Sequence, residues 1–172
     1  MDCPEIFYSV KFTYRYYPDS TMVELIPEYL FTKDKIKEHR LAMKSRVKKL
    51  ALLAEKLSEK EKELFIHDFI VKNVKYDKLK KEYSHEIIGA LGNGVAVCEG
   101  MAKAVKILCD ELGIWCIVAL SDANPDKGIK YRHAWNVIRI DGKYYHLDVT
   151  FDNTLSRDDA VRYDYVNLAD KQ

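Results

Sequence analysis

The chain has 172 residues, 48% of them hydrophobic and 32% charged, which suits one domain with a real core. Lysine and arginine number 28 against 27 aspartates and glutamates, a net charge of +1, so neither nucleic acid nor an anionic membrane surface is indicated as a partner. No apolar run approaches the roughly 20 residues that span a bilayer, and Met1-Asp2-Cys3-Pro4-Glu5 lacks the basic and apolar regions of a signal peptide, so a cytoplasmic protein is expected.

Residues 6–16 alternate, with Ile6, Tyr8, Val10, Phe12, Tyr14 and Tyr16 on one side, which predicts a half-buried strand ended by Pro18-Asp19-Ser20. From about residue 34 to 57 the period changes. Ile36, Met43, Val47, Leu50, Ala54 and Leu57 follow the three-and-four spacing of an amphipathic helix. Ser58-Glu59-Lys60-Glu61 has the form of a capping box and opens a second helix through Leu64, Phe65, Phe69, Ile70 and Val74. His67 and Asp68, mid-helix, are expected to pack and hydrogen-bond. Residues 75–82 are polar and read as a loop, and residues 87–91 as a short helix broken by Gly92-Asn93-Gly94.

A third helix is predicted from Cys98 to about Leu112, with Met101, Val105, Leu108 and Leu112 as its apolar stripe and Gly113 at the C′ position. Residues 114–120 form a continuous apolar strand, and 121–130 a loop rich in Asp, Asn, Pro and Gly. Residues 132–140 and 143–149 are strands joined by Asp141-Gly142, a strong two-residue hairpin signal. No linker or repeat divides the chain. It reads as one domain over 1–172, with an N-terminal strand and long helix to about 57 and a core over 58–172.

Four cysteines are present, Cys3, Cys98, Cys109 and Cys116, and no pair has C-x-x-C spacing. Cys109 and Cys116 lie in apolar patterns and are expected to be buried, inert thiols. Cys98 differs, because it follows Gly94-Val95-Ala96-Val97 and opens a helix, whose N-terminal N–H groups and dipole stabilise a thiolate. The hairpin supplies partners. If Ile140 faces Lys143, Asp148 lies opposite Trp135. His133 and Asp148 are then diagonal neighbours on one face, with backbones roughly 7–8 Å apart. A thiol, an imidazole and a carboxylate in this order are the parts of a nucleophilic acyl-transfer site. Backbone N–H groups at the helix start are expected to contribute to an oxyanion hole. Gly100 is expected to leave room for substrate beside the backbone.

Gly-x-x-x-Cys-x-Gly-x-Ala, then His-Ala-Trp-Asn, then Asp-Gly-x-Tyr-Tyr-x-Leu-Asp-Val-Thr-Phe-Asp resembles the transglutaminase-like superfamily, its bacterial members most of all. Ile66-His67-Asp68-Phe69-Ile70 and Lys75-Tyr76-Asp77 resemble segments upstream of that family's nucleophile. The resemblance covers roughly residues 60–168. It implies an α+β, papain-like fold in which the nucleophile helix packs on an antiparallel sheet. It implies Cys98 as nucleophile, His133 as general base and acid, and Asp148 as the orienter of His133. Phe151 stands where many relatives have Trp. The chain stops at Gln172, where relatives often continue with further sheet, so a shortened form is one expectation.

Around these three residues, Trp135 is expected to shield the His–Asp pair from water, Tyr131 and the 121–130 loop to form a cleft wall, and His146 either to line the cleft or to pack beside Tyr144. His85 precedes the nucleophile loop and is a weaker candidate to reach the site. The expected partner is a protein or peptide substrate, with no cofactor and no metal. The leading expectation is hydrolysis of a peptide or carboxamide. Glutamine–lysine crosslinking by the same thioester, and a binding module that keeps the fold without turnover, are the alternatives. An acyl-CoA-dependent acyltransferase would use the same three residues, but the sequence offers no nucleotide-binding element.

Overall fold

Phe7 marks where the chain enters the core, at 1% exposed, two residues before its first strand. A computed structural model describes residues 3–123, 126, 131–156 and 160–170. Strands β1 (Ser9–Tyr16) and β2 (Val23–Tyr29) form an antiparallel hairpin, followed by helices α1 (Lys33–Ala54) and α2 (Glu59–Asn73). The short strand β3 (Lys75–Tyr76) leads through a 3₁₀ turn (Glu82–His85) and a π turn (Ile88–Asn93) to β4 (Val95–Ala96). Then come helix α3 (Cys98–Glu111), strands β5 (Cys116–Ser121), β6 (His133–Ile140) and β7 (Lys143–Leu147), and helix α4 (Val149–Leu155). The fold is α+β, with α3 packed on the antiparallel sheet β5-β6-β7 and flanked by α1, α2 and α4. No helix among the described residues is long and apolar enough to cross a membrane.

The elements follow local chemistry where that chemistry is strong. Met43, Val47, Leu50 and Ala54 are the buried stripe of α1. The capping box of α2 forms: the Ser58 N–H donates to Glu61 Oε2 at 2.9 Å, and Ser58 Oγ accepts the Glu61 N–H at 3.4 Å. The β6–β7 hairpin has the predicted register, with Ile140 opposite Lys143. Asp141 (φ 48°) and Gly142 (φ 79°) take the two positive φ values that a type I′ turn requires. Cys109 and Cys116 are free and buried, as expected.

Three expectations are corrected. The first strand is not half-buried: Phe12, Tyr14 and Tyr16 are 55–71% exposed. Its partner is β2, where Pro27 sits opposite Phe12, and a bulge between Ser9 and Lys11 breaks the alternation. Phe12, Tyr14 and Tyr16 pair with Pro27, Leu25 and Val23, so one face of the hairpin is apolar and uncovered. The loop over residues 75–82 begins instead with β3, which pairs in parallel with β4. The strand through Val149 stops at Leu147, because Asp148 caps a further helix, α4.

Candidate active site

Two short pieces of backbone aim Cys98. Tyr76 pairs with Ala96 across β3 and β4, and the Val97 N–H donates to the Ser84 carbonyl at 3.0 Å, fixing the turn into α3. Asp77 holds the segment beneath this turn. Its carboxylate accepts from Ser84 Oγ at 2.6 Å and from the Leu79 and Lys81 N–H groups. These hydrogen bonds, Ser84 first, keep the Asp77 carboxyl below the usual range. On the other side Asn136, fully buried in β6, donates to the Ala102 carbonyl at 3.0 Å and to the Ile117 carbonyl at 3.3 Å. One amide thus locks α3 to the strand that begins at His133.

At the top of that strand His133 Nε2 lies 2.5 Å from Asp148 Oδ2. With Nε2 so occupied, Nδ1 is the nitrogen available to Cys98. Burial opposes ionisation of the Cys98 thiol, but hydrogen bonds from His133 and from the Ala134 and Glu99 backbone amides bring it below the ordinary thiol value. His133 moves the opposite way, up to about 9, through its hydrogen bonds to Asp148 and then Cys98, with burial opposing. A thiolate beside an imidazolium is the charge state these shifts favour. Asp148 is held from behind as well: its Oδ1 accepts the Thr150 and Phe151 N–H groups, both at 3.1 Å, as the N-cap of α4.

The imidazole lies between two near-parallel rings, Phe151 at 4.5 Å and Trp135 at 6.0 Å. Trp135 Nε1–H donates to His146 Nδ1 at 2.9 Å, and His146 Nε2 is 2.7 Å from Asp170 Oδ1. His146 therefore braces the far side of Trp135. Tyr131 is 78% exposed just before β6. Residues 124–125 and 127–130 of the 121–130 loop lie outside the described residues. Gly100 is corrected: it is buried, and a Cβ there would run into the Ser84 carbonyl oxygen, so the space beside it is filled by protein. His85 meets Glu99 at 3.1 Å, and Lys103 Nζ meets both Glu99 at 3.0 Å and Glu86 at 2.6 Å. Burial opposes charge on Glu99, but His85 and Lys103 draw its carboxyl down to about 2. The Glu99 carboxylate next to Cys98 is thus paired with Lys103 and hydrogen-bonded by His85.

Two neighbours of the site, though named in the family resemblance, are not assigned to the site from sequence. Tyr76 is half-buried, and its phenol is pushed up by burial and then by the charge of the nearby Cys98. Phe151 stacks on the imidazole from α4, a helix that the β-branched run Val149-Thr150 disguises as strand. The spacing of Asp148 and Asp152, one helical turn, was the available signal. Among the described residues no group of three or more His, Cys, Asp or Glu side chains converges as a metal site.

A model of the transglutaminase-like superfamily matches residues 48–149, more than half of the sequence, and the chain belongs to that superfamily. No curated protein matches. Among solved structures, the chain is similar to one described as a TGase, with a TM-score of 0.56 and 14% identity over 91% of this chain and 47% of that one. This is a likeness of fold. A Cytophaga hutchinsonii protein described as a candidate cysteine protease gives a TM-score of 0.46 and 25% identity, over 60% of this chain and 37% of that one. The chain thus spans less than half the length of either.

Proposed function

We propose that the protein is a cysteine-dependent acyl-transfer enzyme acting on peptide or carboxamide substrates, with water as the acceptor. The observation that carries this reading is the Cys98–His133–Asp148 arrangement, in which His133 Nε2 is 2.5 Å from Asp148 Oδ2 and the Cys98 thiol is hydrogen-bonded to His133. The Cys98 thiolate attacks the carbonyl carbon, forming a C–S bond. Backbone N–H groups at the start of α3 and the Tyr76 phenol are the donors available to the developing oxyanion. As the tetrahedral species collapses, the C–N bond breaks and His133 passes its proton to the leaving amine. Water then attacks the thioester, His133 takes the water proton, and the acid leaves as the Cys98 thiolate is restored. Asp148 keeps the imidazole in one tautomer and orientation. Hydrolysis is favoured because water needs no second binding site, whereas crosslinking needs a cleft that admits a lysine amine and excludes water.

Two measurements test this. Iodoacetamide at neutral pH should label Cys98, and Cys98→Ala should remove that labelling and all turnover. Labelling of Cys3, Cys109 or Cys116 while Cys98 stays inert would sink the reading. Mass spectrometry of products from a peptide library containing Gln and Lys should show cleaved or deamidated peptides. Isopeptide-linked pairs in their place would assign the enzyme to crosslinking.

A further inference from the structure

We propose that His67, deep in α2, is a positioning residue for the His133 imidazole, acting through Asp152 and helix α4. The proposal rests on the reading above, in which Cys98 and His133 work as a pair.

His67 and Asp152 are both fully buried, yet neither belongs to the site. His67 Nε2 lies 3.1 Å from Asp152 Oδ2, and Nδ1 lies 3.1 Å from Asp68 Oδ1. The Tyr163 ring packs on the imidazole at 5.0 Å, and its hydroxyl reaches Asp68 at 3.1 Å. Asp152 is the hub. Its Oδ1 accepts the Asp164 N–H at 2.9 Å, and its Oδ2 accepts the Tyr165 N–H at 3.2 Å. Tyr165 turns these bonds toward the site, because its carbonyl accepts the Asp148 N–H at 3.0 Å and its ring lies 4.9 Å from Phe151. Asp148 and Phe151 are the two residues of this region that grip His133, one by its Nε2 and the other by its ring face.

One turn of α4 therefore joins the two sets of contacts. At its start, Asp148 and Phe151 hold His133; one turn on, Asp152 is held by His67. The segment 163–165 closes the loop between them. A buried imidazole between two carboxylates is a poor way to gain stability, since apolar side chains of the same volume would avoid its desolvation cost. What it supplies is direction: α4 can sit on α2 in one orientation only, the one that satisfies His67 and Asp152 together. A misplacement of about 1 Å at a catalytic imidazole is enough to cost substantial reactivity.

The test uses the pH dependence of Cys98 alkylation by iodoacetamide, with a thermal melt of each variant. His67→Phe keeps a ring and removes both hydrogen bonds. His67→Gln keeps one donor for Asp152. His67→Phe should raise the Cys98 titration midpoint toward the free-thiol value of about 8.5. It should also slow alkylation at pH 6 on the order of tenfold, the effect of one pKa unit on the thiolate fraction. His67→Gln should keep most of the wild-type profile. A His67→Phe variant that melts lower but alkylates with the wild-type profile overturns the proposal, because a purely structural role would give that result. If His67→Phe does not fold, the isosteric Asp152→Asn is read in the same way and decides by the same two outcomes. A wild-type Cys98 that titrates as a free thiol removes the reading of the site and this proposal with it. A shifted wild type with unshifted variants removes the proposal alone.

Discussion

Asp148 does two jobs with two oxygens. Oδ2 holds His133, and Oδ1 caps α4 through the Thr150 and Phe151 amides. An asparagine replaces one of these acceptor oxygens with an NH2 donor and carries no charge, so Asp148→Asn cannot both cap α4 through one oxygen and accept from a charged imidazole through the other. The consequence is a titration that can be measured. His133 is raised to about 9, first by Asp148 and then by Cys98, against burial, from an ordinary value of 6.5. A histidine raised in the folded state contributes stability in full below its unfolded value. That contribution is lost as pH rises through the folded value, here between about 6.5 and 9. In the proposed mechanism, the proton that His133 would give to the leaving amine disappears over the same alkaline limb. NMR titration of the His133 ring should therefore show a midpoint near 9 in the wild type and a lower one in Asp148→Asn. An unchanged midpoint would mean that Asp148 does not hold the charged ring.

At the scale of elements, α3 is seated by a missing side chain. Gly100 lets the first turn of the helix lie against the Ser84 carbonyl, where a Cβ would collide with backbone. Gly100→Ala is expected to cost about 1–3 kcal/mol, the usual range for overpacking, seen as a lower urea midpoint; an unaltered midpoint would show that the Ser84 turn gives way freely. The same contact explains what sequence could and could not disclose. Ser58 and Glu61, the Asp141-Gly142 turn and the stripe on α3 obey rules that span a few residues, and they were legible. Register arithmetic on the hairpin correctly brought His133 toward Asp148, although Asp148 turned out to leave the strand and cap α4. Gly100 was misread because its neighbour, Ser84, is supplied by a turn whose path no local pattern announces. Pro27 hid β2, since proline argues against a strand until it is known to sit in a two-stranded ribbon. The His67–Asp152 contact joins residues 85 apart, and no periodicity reports it.

At the scale of the whole molecule, the core carries an acidic group at odds with its surroundings. Glu63 is fully buried on α2; Oε2 accepts from Asn167 Nδ2 at 2.9 Å, while Oε1 has no hydrogen-bond partner among the described residues. Burial pushes its carboxyl from 4.5 up to about 7, against the Asn167 hydrogen bond and Lys60. A raised carboxyl stabilises the fold while protonated, in full below about 4.5, and that contribution is lost as pH rises through about 7. Glu63→Gln is neutral throughout, so at pH 8 it should gain on the order of 2–4 kcal/mol relative to the wild type, with the gap narrowing at pH 5. Thermal melts of both proteins at the two pH values check this, and parallel losses would refute it. The β1–β2 hairpin lies outside that balance, because its ladder is complete within about 20 residues and its apolar face is bare. That separation sets two clocks for folding. A ribbon of this kind closes in about 1–10 μs without reference to the rest of the chain. The site must wait for α2 to meet α4 and for α3 to meet β6, encounters across long loops that slow the search. The front of the protein can thus be finished while Cys98 and His133 have yet to meet.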